Sequence, residues 1–466
     1  MSELPAIAGA NDTRAVAINA SRQIVGYYVV GTAAPRTFLV AGDTMQDLST
    51  LVPLRSSAAG PSGPAGFLSL LFAGGINDAG FITGIGSYVS PGATTSTSNA
   101  FLLTPAAVPR PAAVTVAAGA TVVIDLATVV TATAFQWQRN GTAIAGATGP
   151  SLILTNAAEA DAGVYSCRLT TAGGPYLSFD STVSVLAPGG AAPPGRLINL
   201  SVLTSLAGGA DSFTVGTVVG GAGTTGTKPL LVRAGGPSLA AFGLAGWLAD
   251  PRLEVFASAT KIGENDNWGG GAGVGAASAQ VGAFAFASAS SRDAAVLLPE
   301  VSTGDISVVI SGVGGGAGAV IAELYDATPA AAFTTTTPRL VNVSVLKPIG
   351  AGLTVGFVIG GGAAQTVLVR AIGPSLAGFG VAGALADPWL ELYAGPAKIA
   401  ENDNWSGAGR APTLALAFAR LGAFLLPNDS KDAAVLVTLP PGSYTVRVEG
   451  VAGTTGTALV EVYEVP

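Results

Sequence analysis

Glu401-Asn402-Asp403-Asn404-Trp405 repeats, letter for letter, Glu264-Asn265-Asp266-Asn267-Trp268. Matches continue on both sides. Leu231-Val232-Arg233-Ala234 answers Leu368-Val369-Arg370-Ala371, and Gly236-Pro237-Ser238-Leu239 answers Gly373-Pro374-Ser375-Leu376. Leu248-Ala249-Asp250-Pro251 answers Leu385-Ala386-Asp387-Pro388, and Asp293-Ala294-Ala295-Val296 answers Asp432-Ala433-Ala434-Val435. The C-terminal part is therefore one module written twice, at 196–327 and 339–466, joined by a Thr/Pro/Ala segment from Thr328 to Pro338. Period-2 runs such as Thr354-Val355-Gly356-Phe357-Val358 and Tyr444-Thr445-Val446-Arg447-Val448 predict strands. Eight or so strands per copy predict a β-sandwich or jelly roll. Pro440-Pro441-Gly442-Ser443 and Gly450–Gly456 read as hairpin turns, and Pro374–Phe379 with its copy reads as a short helix.

Composition agrees with an all-β fold. Of 466 residues, 49% are apolar, so core material is ample for several domains. Only 11% are charged, against roughly 25% in ordinary domains. The net charge is −7 with no basic stripe, which excludes a nucleic-acid interface. Histidine is absent, removing His-based triads and most zinc and copper sites. The single cysteine excludes an intrachain disulfide. Met1-Ser2-Glu3-Leu4 lacks a basic n-region and an apolar h-region, so no signal peptide is expected. The uncharged run Gly269–Ser291 is Gly, Ala and Ser rather than a lipid-facing span, so no membrane span is expected.

Residues 1–106 carry a weaker repeat: Ile18-Asn19-Ala20-Ser21-Arg22-Gln23-Ile24-Val25-Gly26 against Ile76-Asn77-Asp78-Ala79-Gly80-Phe81-Ile82-Thr83-Gly84. A Phe-Leu strand follows each, at Phe38-Leu39 and Phe101-Leu102. Ile-Asn-x-x-Gly reads as strand, tight turn, strand, with Asn and Gly at positive φ. The pattern resembles the HAF repeat of bacterial exported proteins, which implies blade-like units of a β-propeller. Two units are fewer than the four to eight of a closed propeller. Either they pack as a small open sheet, or the chain begins inside a longer protein.

Pro105–Pro111 reads as a linker, and residues 112–187 resemble an I-set immunoglobulin-like domain. The resemblance rests on Phe135-Gln136-Trp137-Gln138-Arg139 and Asp161-Ala162-Gly163-Val164-Tyr165-Ser166-Cys167. It implies that Trp137 is the core tryptophan, Tyr165 the tyrosine corner and Cys167 the second cysteine of the family's disulfide. Leu126 stands where the first would be, so the expectation is a buried free thiol against Trp137 and Leu126. Pro188–Gly195 reads as a second linker.

Among candidate sites, the Glu-Asn-Asp-Asn-Trp loops come first. Glu264, Asp266, Asn267, Glu401, Asp403 and Asn404 offer the oxygens that Ca²⁺ prefers. The competing reading is an Asx-turn loop whose tryptophan plugs the sandwich. Trp268 and Trp405 are then either core lids or sugar-stacking platforms. Arg233 and Arg370 end their strands, and Asp250 and Asp387 sit on the Asp-Pro turns that follow. Being repeated in a charge-poor chain, they suggest a structural ion pair or backbone clamp. Gly221–Lys228 lacks phosphate-loop spacing and reads as a hairpin loop. Gly-Pro-Ser is not a nucleophile elbow.

These readings converge on a non-enzymatic extracellular or cell-surface adhesion or scaffold protein. Its expected partner is a polysaccharide, a surface protein or another copy of itself. The alternatives are a carbohydrate-binding accessory region of a secreted enzyme and a subunit of an extracellular fibre.

Overall fold

A computed structural model describes residues 4, 7, 9–19, 23–41, 44–50, 54, 66–77, 81–90, 92–103, 107–128, 132–171, 174–178, 180–186, 194–350, 352–407 and 410–466. The fold is all-β sandwich. Among the described residues its two α-helices are short, Ala272–Gln280 and Ala411–Leu421. Two compact units divide the chain: 1–114 with 124–152 and 162–184, and 115–123 with 153–161 and 185–466.

In the second unit each copy of the long repeat folds into eight main strands, with a two-residue strand, Arg339–Leu340, between the copies. In the first they are Arg196–Leu206, Ser212–Gly220, Thr227–Gly235, Pro251–Ala257, Thr260–Asn265, Ala294–Ser302, Gly304–Gly312 and Gly318–Asp326. In the second they are Asn342–Ile349, Leu353–Gly360, Gln365–Ile372, Pro388–Ala394, Ala397–Asn402, Ala433–Leu439, Gly442–Gly450 and Gly456–Val465. Numbered in chain order, strands 1, 8, 3 and 6 form one sheet of each copy and strands 2, 7, 4 and 5 the other. That order is the jelly roll.

The two rolls are not separate beads. Strand 1 of the first copy pairs with strand 2 of the second, with Leu200 opposite Phe357 and Val202 opposite Val355. Strand 2 of the first pairs with strand 1 of the second, with Val215 opposite Val345. Two continuous sheets result, each drawing four main strands from each copy. One hydrophobic core runs through both, and Val202, Val215, Val345 and Val355 are all buried within it. This edge-to-edge pairing gives each copy's otherwise open edge strands a partner, which removes two exposed edges per roll.

Strand alternation also corrects the turns. The chain passes between layers at Gly221–Gly226, at Pro440–Pro441 and after Gly450, so these are arches rather than hairpins. Lys228, read as part of a loop, is a buried residue of strand 3. In-sheet hairpins within each roll join strands 4 and 5. The short helices at Pro237–Phe242 and Pro374–Phe379 are 3₁₀.

In the immunoglobulin-like segment, a sheet of Ser151–Leu154, Val122–Thr128 and Ala107–Arg110 faces one ordered Thr142–Ala143, Ala132–Arg139, Gly163–Thr171, Ser181–Leu186 and Ala113–Ala117. The expected linker thus contributes a strand, with Arg110 opposite Asp125. Trp137, Tyr165, Leu126 and free Cys167 are all buried. Trp137 sits opposite Cys167 across adjacent strands, and its indole N–H donates to the Gly149 carbonyl at 3.0 Å. Burial pushes the Cys167 thiol up to about 11, as expected for an inert group in apolar surroundings.

The N-terminal segment forms two antiparallel meanders. One has four strands, Ala10–Ile18, Ile24–Val30, Arg36–Ala41 and Thr44–Asp47. The other has three, Gly66–Ile76, Ile82–Val89 and Thr97–Leu103. The repeated turns do not place Asn at positive φ. Instead the Asn19 and Asn77 side chains accept from the backbone N–H of Gln23 and Phe81, both at 2.9 Å. Gly80, and residues 188–193 of the second expected linker, lie outside the described residues. The repeated Gly26 and Gly84 serve close approach. A Cβ there would stand 2.0 Å from Arg14 O and 2.2 Å from Phe72 O.

Candidate binding site

The repeated letters form one latch, built the same way in each roll. Strand 3 runs into Gly236-Pro237-Ser238, where the glycine passes the Leu248 carbonyl so closely that a Cβ would stand 2.1 Å from it. Proline then opens the 3₁₀ helix. Its N–H groups need an acceptor, and the buried Asp293 carboxylate supplies one. Asp293 accepts from Gly236 N–H at 2.8 Å and Ser238 N–H at 3.2 Å, and from the Ser238 and Ser291 hydroxyls. Asp432 repeats this with Gly373 N–H at 2.7 Å and the Ser375 hydroxyl. The main chain beside each aspartate holds the Glu-Asn-Asp-Asn-Trp loop. Trp268 N–H donates to Asp293 O at 2.9 Å, and Trp405 N–H to Asp432 O at 2.8 Å. The first asparagine closes the latch: Asn265 Oδ1 accepts from Ala295 N–H and Asn402 Oδ1 from Ala434 N–H. Their amides donate to the Asn267 and Asn404 carbonyls.

The tryptophans point inward. Trp405 is buried against Phe418 and donates to the Pro427 carbonyl at 2.9 Å. Trp268 is half-buried, meets Phe286 edge-on and donates to the Ser288 carbonyl. Trp405, buried on all sides, is a lid and offers no open ring face to a sugar, while Trp268 stays partly accessible.

Arg233 and Arg370 have partners, though not the aspartates on the following turns. Arg370 Nε donates to Glu461 at 2.9 Å and Nη1 to the Phe424 carbonyl, with its guanidinium over Phe418 and Phe424. Arg233 faces Glu323 at 3.4 Å, donates to the Phe284 carbonyl and lies over Phe284 and Phe286. Tyr325 and Tyr463 donate to the same glutamates. Asp250 pairs instead with Arg292, and Asp387 with Lys431. Sequence spacing brought each arginine near a turn aspartate, but the buried glutamate on neighbouring strand 8 is what its side chain reaches.

The outward residues of the two loops differ in setting. In the first roll Glu264 is held by Arg252 at 2.8 Å and Lys261 at 2.9 Å. Hydrogen bonds from Lys261 and then Arg252 keep its carboxyl below the usual range. In the second roll Trp389 occupies the position of Arg252. Glu401 pairs with Lys398, whose ammonium is held above its usual value by Glu401 and then Glu391. A cavity of about 440 Å³ opens there, lined by Trp389, Glu401, Asn402, Asp403, Asn404, Gly407 and Arg410. Trp389 is 37% exposed, and Lys398 Nζ lies 5.7 Å from its ring centroid.

Glu401, Asp403 and Asn404 therefore share one concavity, whereas in the first roll Arg252 stands in place of the Trp389 ring and pairs with Glu264, which stays exposed. Among the described residues no group of three or more acidic, histidine or cysteine side chains gathers as a metal cluster. Trp389 and Arg410 escaped the sequence reading. The available signal was a difference: Asp-Pro-Arg in one copy and Asp-Pro-Trp in the other, at an outward position of a period-2 strand.

No family model matches the sequence, and no curated protein is significantly similar to it. Solved structures with partial likeness include N-terminal four-immunoglobulin-domain fragments of Dscam1. One Dscam1 isoform fragment has 18% identity and TM-score 0.16, covering 38% of this chain and 46% of that one. A structure of Dscam isoform specificity has 16% identity and the same TM-score, covering 38% and 47%. The chain thus spans under half the length of these neighbours, and at that TM-score the likeness carries no argument about function.

Proposed function

We infer that this chain is a non-enzymatic adhesion or scaffold protein of the cell exterior that holds a saccharide at the Trp389 cavity. The observation that carries the reading is the exposed Trp389 indole beside Glu401, Asp403, Asn404 and Arg410. A flat apolar ring flanked by amide and charged groups suits a sugar, whose C–H face stacks while its hydroxyls pair with the rim. The joined rolls supply a rigid platform behind it, because Trp405 and Asn402 lock the loop from within. Non-enzymatic action agrees with the absence of histidine. The bacterial, HAF-like part of the reading rests on the four-stranded meander at 10–47 and the motif within it.

Calcium remains part of the reading at Glu401, Asp403 and Asn404, which share the cavity. At Glu264, Asp266 and Asn267 a cation would compete with Arg252 and Lys261. The test is a polysaccharide panel screened with the full chain, in calcium and again in chelator. Binding that survives Trp268→Phe and fails in Trp389→Ala supports the reading. A panel without binders, or binding indifferent to Trp389→Ala, refutes it. Chelator-sensitive binding adds calcium to the site.

A further inference from the structure

Four buried charged side chains, Arg196, Lys228, Asp326 and Glu464, lie together in the joined rolls with the half-buried Arg339 beside them, and the binding reading uses none of them. Lys228 Nζ stands 2.8 Å from Asp326 Oδ2, with both side chains fully excluded from solvent. Arg196 Nε approaches the same oxygen at 3.3 Å, and Arg339 Nε lies 2.5 Å from Glu464 Oε1. Lys228 also donates to the Pro338 carbonyl at 2.8 Å, and Leu197 N–H to Glu464 at 3.2 Å. The cluster belongs to the first roll's lysine. The equivalent position in the second is Gln365, which donates to the Val465 and Thr366 carbonyls.

We propose that Lys228 and Asp326 join in an intramolecular isopeptide bond, an amide between Nζ and Cγ that cross-links strands 3 and 8 of the first roll.

Charge counting motivates it. Two guanidiniums stay protonated, so two ionised carboxylates already balance them, and an ammonium at fully buried Lys228 would be a third cation in the cluster. Burial lowers the Lys228 pKa, the direction that yields a free amine. Burial likewise raises that of Glu464, whose field reaches Lys228, so this carboxyl can take up a proton. Amine and acyl carbon are held together without water, where proximity replaces a bimolecular encounter.

The step balances without an oxidant or co-reactant. Glu464 accepts one ammonium proton, and the free amine adds to Asp326 Cγ. The N–Cγ bond forms and the Cγ–Oδ2 bond breaks. The departing oxygen leaves as water, carrying the proton returned by Glu464 and a second from the amine. Arg196, beside that oxygen, stabilises the negative charge of the tetrahedral intermediate. The product replaces a buried ion pair by a neutral amide. The bond would tie the start of strand 3 to the residue where the chain leaves the first roll for the second.

The test is the intact mass of the denatured full-length chain. The expected mass is one water, about 18 Da, below that of the sequence, and proteolysis leaves a branched peptide carrying Lys228 and Asp326. Lys228→Arg and Asp326→Ala each restore the lost water, and Glu464→Gln lowers the cross-linked fraction. A wild-type chain at its full sequence mass overturns the proposal. So does a water loss that fragmentation places elsewhere, such as a succinimide at another aspartate. Because the wild-type mass is the primary reading, a variant that fails to fold leaves the test intact.

Discussion

Arg370→Met isolates the worth of the buried charge repeated in both rolls. The guanidinium is fully buried, donates to Glu461 at 2.9 Å and to the Phe424 carbonyl, and lies 4.8 and 4.5 Å from the Phe418 and Phe424 centroids. Methionine fills much of the volume but leaves Glu461 buried with the Tyr463 hydroxyl still donating to it. Removing one partner of such a pair costs about 3–5 kcal/mol, mostly as an uncompensated buried charge. At roughly 2–4 °C per kcal/mol for a domain of this size, the joined-roll transition should fall by about 6–20 °C. Lys431→Met removes an exposed partner of Asp387 instead, and the cost there is under about 1 kcal/mol. The double variant Arg370→Met, Glu461→Leu removes both charges and should recover most of the loss. Differential scanning calorimetry of the four proteins reads all three shifts. The reasoning is refuted if Arg370→Met falls no further than Lys431→Met, or if the second substitution adds to the first instead of offsetting it.

Three further outcomes follow from the same geometry. Asp432→Ala strips the acceptor from two backbone N–H groups and the Ser375 hydroxyl; it should cost about 3 kcal/mol or more and shift Trp405 fluorescence to the red, whereas unchanged stability and emission would contradict the latch. Residues 196–327 expressed alone expose strands 1 and 2 and half of the shared core, so light scattering should show dimers or aggregates; a stable monomer melting near the full chain would contradict the joined sheets. Cys167, raised from an ordinary 9.0 to about 11 by burial, should resist iodoacetamide at pH 8 until urea unfolds its domain. Its sign is fixed: the contribution to stability is complete below pH 9 and disappears as pH climbs through about 11, so a domain whose stability rises across that window refutes the assignment.

What the sequence disclosed, and what it hid, divides along physical lines. Alternation in Thr354–Val358 and Tyr444–Val448 announced strands because burial on one face leaves a period of two. The edge-to-edge pairing of the rolls was not legible, since Val202 or Val215 would pair as well with any apolar neighbour and nothing local names the partner. The helix Ala411–Leu421 carries the helical spacing in Leu414, Ala417, Phe418 and Leu421, but its counterpart in the first roll is rich in Gly and Ala and masks the pattern. Repetition drew attention to Glu-Asn-Asp-Asn-Trp, yet the letters both copies need turned out to be the latch: Asn265, Asn402 and the inward tryptophans. The cavity arises where the copies differ, at Arg252 and Trp389. A repeated residue in a duplicated fold reports first on folding, and a divergent one reports on use.

The saccharide claim meets its most direct test in a calorimetric titration of the full chain with the best oligosaccharide from the panel. The account expects one site per chain, because the first roll carries Arg252 where the second presents the Trp389 ring. It expects Trp389→Ala to weaken binding by about 2 kcal/mol or more, roughly thirtyfold. Two equivalent sites per chain, or an affinity unchanged by that substitution, would contradict it.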